Sequence, residues 1–244
     1  MIDFLKDIVQ HTHGLGVINM LKVTGTKTGT AINAFDQATK TVILNADFKQ
    51  PVAGFEGVFG MPNLDRLNTI LNLPPYKEDA QISVVTASRN NEVVPTGLHF
   101  ENAAGDFKND YRFMSQEIVI DKLKTVKMRP VTWNVEFEPS VANIQRLKFQ
   151  ASANAEEVNF TAKTNNGNLE LSFGDHSSHA GNFTFQAGVS GTLSKAWQWP
   201  VKAVISILDL PGDKKFSISD EGAAQITVNT GLATYNYILP AQSK

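Results

Sequence analysis

The chain has 244 residues, of which 42% are hydrophobic, and a formal net charge of −2. This length suits one large domain or two of about 120 residues, and the slight negative charge argues against a protein that coats nucleic acid over most of its surface. The absence of cysteine excludes a disulfide framework and thiolate metal sites. No apolar run approaches the ~18 residues of a membrane span, so no membrane contact is expected.

The first half of the chain predicts a helix, strands, a second helix and more strands. Ile2, Leu5 and Ile8 recur at the spacing of one helix face, ahead of a glycine-rich break at residues 14–16. Leu64 and Leu67 mark the second helix, which the prolines at 74 and 75 end. Alternating apolar residues predict strands at residues 21–23, 31–35, 41–48, 81–85, 98–101 and 110–114.

The second half predicts the same order of elements. Pro139 and Ser140 precede a helix with Ile144 and Leu147 on one face, and Pro200 begins a second helix that ends before Pro211. Predicted strands cover residues 132–137, 158–160, 169–173, 182–189, 224–228 and 234–239.

The two halves also repeat each other in sequence. The segment ILNLP at residues 70–74 returns about 137 positions later as ILDLP, and YRFM at residues 111–114 is echoed by YNYI from residue 235. This spacing is too long for a solenoid, whose repeats run at roughly 20–50 residues. The repeat therefore predicts a duplicated domain, with copies at residues 1–115 and 132–244 and a connector at 116–131.

Several segments carry a resemblance to a known family. They are FLKDI at residues 4–8, INMLK at 18–22, FEGVFG at 55–60, IQRL at 144–147 and YNYIL at 235–239. In this order, and with the duplication, the chain resembles the DNA sliding clamps, and among them most the two-domain subunit of T-even-type tailed bacteriophages. The resemblance covers nearly the whole chain, and none of its segments is a catalytic fingerprint.

The resemblance implies an α+β DNA-clamp fold, in which two repeated domains each place two helices on an inner face and antiparallel sheets outside. Three such subunits would form a closed ring, a homotrimer, around double-stranded DNA. The ring would tether the replicative DNA polymerase, be opened by a clamp-loader ATPase, and in some phages also recruit the late transcription machinery. No enzyme activity, cofactor or metal is implied, and the expected location is the cytoplasm of the infected bacterial host.

Basic residues on the four predicted helices are the candidate DNA contacts. A clamp that slides must bind phosphates without reading bases, and a topological ring needs little affinity. With Asp3, Asp7, Asp65 and Asp209 on the same helices, the excess is about two positive charges, so ordinary solvated helix charge is the alternative interpretation. The candidates are Lys6, Arg66, Arg146, Lys148, Lys195 and Lys202.

The connector and the end of the chain are the candidate partner site. In clamps, a partner such as the C-terminal peptide of the polymerase inserts apolar side chains into a pocket beside the connector on the second domain. Lys122 and Lys124 would suit an acidic flank of such a peptide. The alternative is that these residues only pack the two domains together. The predicted pocket residues are Ile118, Val119, Ile120, Tyr237, Leu239 and Pro240.

Other patterns give no enzyme or metal site. The pairs His11/His13 and His176/His179 lack convergent ligands and are interpreted as loop or surface histidines. Ser177, Ser178 and Ser194 stand in no nucleophile motif, and no phosphate-binding loop is present. The segment WQWP at residues 197–200 resembles a base-stacking platform, but its place before a helix, like VFGM at 58–61, favours core packing.

Two other functions fit parts of the sequence. A non-enzymatic structural phage virion protein, built from a duplicated β-rich domain, would explain the repeat and the low charge. A single-strand binder would carry exposed aromatic and basic residues along its strands, whereas these strands alternate apolar residues. The amphipathic helices at equivalent places in both copies favour the clamp.

Overall fold

The computed structural model describes residues 1–77, 79–89, 92–124, 129–175 and 179–242, so His176, Ser177 and Ser178 lie outside the described residues. The chain divides into two compact units. Unit 1 is Met1–Val126 with Thr230–Tyr235, and unit 2 is Lys127–Asn229 with Asn236–Lys244.

The elements of the first copy are α1 (Ile2–His11), β1 (Met20–Gly25), β2 (Thr30–Phe35), β3 (Ile43–Phe48), β4 (Gly57–Pro62), α2 (Leu64–Leu71), β5 (Gln81–Arg89), β6 (Glu92–Glu101), β7 (Lys108–Arg112) and α3 (Gln116–Lys122). Those of the second are β8 (Val135–Phe137), α4 (Val141–Ala153), β9 (Asn159–Asn165), β10 (Asn168–Phe173), β11 (Gly181–Gln186), β12 (Trp197–Pro200), α5 (Val201–Leu208), β13 (Asp213–Ser219), β14 (Ala223–Asn229) and β15 (Ala233–Pro240).

Unit 1 packs two helices against antiparallel sheets. One sheet has the order β4-β1-β2-β3, and β15, whose residues 233–235 belong to this unit, lies next to β3. The other sheet has the order β5-β6-β7. The apolar stripes of α1 and α2 are fully buried at Leu5, Ile8, Leu64 and Leu67, because one face of each helix must leave water.

Unit 2 repeats this plan. Its first sheet has the order β11-β10-β9-β12, and its second contains β15-β14-β13-β8. Helix α4 begins where the sequence predicts, since the Ser140 hydroxyl accepts a hydrogen bond from the Asn143 N–H at 3.1 Å and caps the helix. Leu147 of α4 and Val204 of α5 are fully buried.

The duplication extends to details of connectivity. β4 pairs with β1 in the first copy as β12 pairs with β9 in the second. In each copy the chain after the last strand returns to bridge the strand that precedes the second helix. The bridges are Gly60 to Met114 in unit 1 and Gln198 to Gln242 in unit 2. The predicted order of helix, strands, helix, strands in each copy is confirmed.

The structure adds three elements that the periodicity did not indicate. β4 and β12 are strands, where the sequence indicated only apolar segments before helices. Trp199 is nevertheless buried in the core as predicted, and the half-buried Trp197 donates its indole N–H to the Asp220 carbonyl at 2.8 Å.

The third added element is α3 in the connector. Its Val119 packs so close to Gly60 that a methyl group on Gly60 would lie 2.8 Å from the valine side chain.

Candidate nucleic-acid interface

The helix pair of unit 1 presents a balanced set of charges. Helices α1 and α2 pack against each other, and their exposed positions carry two acidic and two basic side chains. The imidazole of His13 lies 3.7 Å from the Asp65 carboxylate. Lys6 and Arg66 are therefore exposed as a DNA contact requires, but Asp3 and Asp65 share their surface.

The helix pair of unit 2 has an excess of positive charge. Arg146 is exposed on α4, with its guanidinium 5.4 Å from the centroid of the Phe183 ring on β11. Lys202 is exposed in the first turn of α5. Lys148 forms an ion pair with Asp209, so its charge is already compensated. Among the described residues no ion pair involves Arg146 or Lys202, and these two cations are the free positive charges of the pair.

An open hollow of about 610 Å³ lies between the exposed sides of α4 and α5. Lys148 and Lys202 in its lining are matched by Glu157 and Asp209, Ser152 adds a hydroxyl, and Val158 contributes an exposed apolar group. The hollow itself therefore carries no excess of positive charge.

Lys195 does not lie on a helix, and its assignment to a lining helix is wrong. It lies in the loop before β12. The predicted helix was placed too early, since residues 197–200 form the strand β12 and α5 begins only after them. Its backbone N–H donates to the Asp220 carboxylate at 3.2 Å, and its ammonium lies 5.9 Å from the Trp197 ring centroid. Burial alone would raise the pKa of Asp220, but hydrogen bonds from Ser194 and Lys195 outweigh it and hold that pKa below its ordinary value.

Three of the six predicted partner residues are core residues. Val119, Tyr237 and Leu239 are fully buried, so they cannot form the surface of a pocket. Apolar residues on a short helix and on a strand that is paired on both sides leave water on folding, and the sequence alone does not show which face is covered. The exposed members are Ile118 and Ile120, at 49% and 48% of their surface, and Pro240 is half-exposed.

A small hollow beside the connector in unit 1 was missed by the sequence reasoning. Phe35 and Ile43 form a cross-strand pair on β2 and β3, at positions of the alternation that face away from the core. Leu123 and Lys124, which follow α3, complete the lining together with Asn33 and Asn45. The sequence signal for this hollow is a pair of apolar residues on neighbouring strands, at alternate positions where outward-facing polar residues are expected.

The histidines that the structure describes do not gather into a metal site. Within the described residues no group of three or more histidine and acidic side chains could hold a metal ion. The interpretation of His11 as a surface residue is wrong. It is buried, its Nδ1 lies 2.9 Å from the Asp7 carbonyl oxygen, and its ring stacks on Tyr235 with centroids 4.7 Å apart.

No helix in the described part of the chain is long and apolar enough to span a membrane.

Comparison with known proteins gives a fold. No family model and no curated protein matches the chain. Among solved structures, the chain is similar to A. fulgidus PCNA, described with the C-terminal region of FEN-1 bound, with a TM-score of 0.69 and 11% identity over 100% of this chain and 96% of that one. It is similar to PCNA from Thermococcus kodakaraensis (TM-score 0.68, 9% identity, 99% and 97% covered).

A third similar structure is the proliferating cellular nuclear antigen of Entamoeba histolytica, with a TM-score of 0.66 and 12% identity over 99% of this chain and 96% of that one. At these identities the likeness shows the fold and not the activity. The predicted α+β DNA-clamp fold is confirmed.

Proposed function

We propose that this chain is a sliding clamp, which encircles double-stranded DNA and tethers the replicative DNA polymerase as a processivity factor. The observation that carries the proposal is the clamp fold over the full length of the chain, with a helix pair in each duplicated unit. A clamp acts by topology, so the function needs no catalytic group and no cofactor.

The sheet edges support a ring of identical chains. β15, the last strand of the second copy, has its residues 233–235 in unit 1, where it lies next to β3, the third strand of the first copy. The equivalent strands β7 and β11 are end strands of their sheets in the described structure. If β7 of one protomer paired with β11 of the next, the contact would repeat head to tail and could close a ring. We propose that three chains form it, as in the phage clamps that the sequence resembles.

The charge on the helix faces supports a weak contact with DNA. Arg146 and Lys202 supply free cations in unit 2, and the pairing of Lys148 with Asp209 keeps the total low. A mobile ring gains from this, because strong phosphate binding would slow sliding, while retention comes from encirclement. Lys6 and Arg66 are proposed as secondary contacts, and Lys195 as a loop contact.

The finer assignments follow the phage-type resemblance. We propose a clamp-loader ATPase as the partner that opens the ring, a second role as a coactivator of late transcription, and a location in the cytoplasm of an infected bacterium. The hollow lined by Phe35, Ile43 and Leu123 has a volume of only about 10 Å³ and is too small for a side chain of a partner. The exposed Ile118 and Ile120 of the connector are the proposed contacts for an apolar peptide such as the polymerase C-terminus.

A threading experiment tests encirclement without a loader. The protein is added to linear duplex DNA fixed to a bead at one end, and the free end is then blocked or left open before a wash at high salt. A clamp is retained only on blocked DNA, whereas a phosphate-binding or virion protein washes off both. Equal loss from open and blocked DNA would remove the proposal.

The ring itself is tested by mass. Light scattering should give three times 26.7 kDa. Phe149→Asp on the exposed side of α4, which packs on β11, should reduce this mass, whereas Val93→Asp should not. The two side chains are equally exposed, at 70% of their surface, so loss of apolar surface alone affects both alike. A monomeric wild-type protein would contradict the proposed ring.

A further inference from the structure

Copy 1 carries two insertions that copy 2 lacks. The connection between α2 and β5 covers residues 72–80, whereas the equivalent connection between α5 and β13 covers only residues 209–212. The hairpin turn between β6 and β7 covers residues 102–107, whereas the turn between β14 and β15 covers only residues 230–232. The two copies have therefore diverged at the sheet that ends with β7.

The two insertions pack on each other and build a well-ordered turn. Tyr76 is buried, its ring centroid lies 5.4 Å from that of Phe107, and the Asn109 amide donates to its hydroxyl at 2.9 Å. The Asn102 side-chain oxygen accepts the backbone N–H groups of Asp106 and Phe107 at 3.2 and 3.1 Å. The Phe107 side chain is nevertheless exposed, at 38% of its surface. An exposed apolar side chain that is already held in place loses little freedom on binding.

Unit 1 contains the equivalent turn of copy 2, and there the turn is docked. Residues 230–235, which are this turn and the first residues of β15, belong to unit 1 and place Tyr235 against α1. The Tyr235 ring stacks on His11 of that helix with centroids 4.7 Å apart, and its hydroxyl donates to the Asp7 carboxylate at 2.8 Å. The ring also meets Phe48 of β3 edge-on, with centroids 6.4 Å apart. An aromatic residue at the start of the last strand of copy 2 thus docks on the first helix and third strand of copy 1.

In unit 2 the equivalent helix and strand are α4 and β11, which pack against each other. Helix α4 corresponds to α1 because the spacing of its buried Ile144 and Leu147 matches that of the buried pair in α1. β11 is an end strand of its sheet in the described structure. All phenylalanines of the chain are described, and only Phe107 and Phe149 are exposed. One of these two rings lies on the turn before β7, and the other lies on the helix beside β11.

We propose that the turn at residues 102–107 of one protomer docks on α4 and β11 of the next, with Phe107 against Phe149. The partner is a second copy of the chain, because it offers the same kind of helix and strand as those on which residues 230–235 dock in unit 1. Tyr76 is a positioning residue, since its ring supports Phe107 from the core side. The inference rests on the proposed ring and names the side chains that join its protomers.

A double-mutant cycle on the full-length protein tests this contact. The variants are Phe107→Ala, Phe149→Ala and the double variant, and sedimentation velocity over a dilution series gives the concentration at which half of the ring has dissociated. Each single variant should raise this concentration about tenfold or more, because buried aromatic side chains contribute strongly to protein interfaces. The double variant should raise it by much less than the product of the two single effects, because one contact can be lost only once.

The matched control is Val17→Ala, since Val17 of unit 1 is exposed at 39% of its surface and Phe107 at 38%. It should leave the dissociation unchanged. Tyr76→Phe, which loses the hydrogen bond from Asn109, should weaken the ring in the wild-type background but not in Phe107→Ala.

The possible failures of this contact and of the ring are distinct. Single effects that multiply in the double variant, or an unchanged ring in Phe107→Ala, would overturn the contact while the ring stands. A wild-type protein that is monomeric at every concentration would contradict the ring itself, and the contact with it.

Discussion

Removing the free cations of unit 2 should weaken DNA binding in a way that its salt dependence reveals. The double variant Arg146→Ala/Lys202→Ala removes the two exposed charges of the α4–α5 pair that no described ion pair compensates, and a ring of three chains would lose six. Each phosphate contact contributes about 0.9 to the slope of log affinity against log salt. Loss of only two contacts therefore lowers the slope by about 1.8, and loss of all six by about 5.

The assay is fluorescence anisotropy of a labelled linear duplex over a series of salt concentrations. The control variant is Lys6→Ala/Arg66→Ala, which removes the same number of charges from the whole protein but from a surface shared with Asp3 and Asp65. We expect a smaller change in slope for this control. If it matched or exceeded the unit 2 variant, phosphate contact would not follow the excess charge on the helix faces, and the reasoning would be refuted.

Three further predictions concern stability, each read from urea midpoints. Tyr235→Phe should lower the free energy of unfolding by about 1.5–3 kcal/mol, because its hydroxyl donates to the Asp7 carboxylate at 2.8 Å. Tyr111→Phe should lower it by only about 0.5–1.5 kcal/mol, because that hydroxyl donates to a neutral carbonyl. Equal losses for the two variants would refute the role of the charge. Gly60→Ala should lower the free energy of unfolding by about 1–3 kcal/mol, and adding Val119→Ala should recover part of that loss. If the losses of the two single variants simply add in the double variant, α3 does not pack against Gly60. The lowered pKa of Asp220 stabilises the fold above its ordinary value of 3.8, and this contribution is lost as the pH falls through the lower folded value; Asp220→Asn should remove that part of the acid sensitivity, and an unchanged pH profile would contradict it.

The helices and the repeat could be predicted because their signals are local. The apolar stripe of α1 and the Pro-Ser pair before α4 each indicate a helix from only a few neighbouring residues. β4 and β12 could not be predicted in this way. Their segments GVFGMP and WQWP do not alternate, and they become strands by pairing with β1 and β9, which lie many residues earlier in the chain.

The site was predicted less well than the fold, for the same reason. Exposure of a charge on a helix follows from the helical stripe, so Lys6, Arg66, Arg146 and Lys202 are exposed as expected. Burial of an apolar side chain depends on what covers it, and no local pattern showed that Val119 of α3 packs against Gly60 of β4. The pairing of Lys148 with Asp209 likewise joins two helices that the sequence separates by about sixty residues.

The duplicated copies keep their buried positions alike and differ at exposed ones. Leu67 and Val204 are both fully buried on the second helix of their units, because the same sheet order must cover the same helix face. Exposed positions carry no such constraint, so positive charge could accumulate on the helices of unit 2 while the helices of unit 1 kept a balanced set. In the proposed ring, phosphate contact would then fall mainly on one unit of each chain.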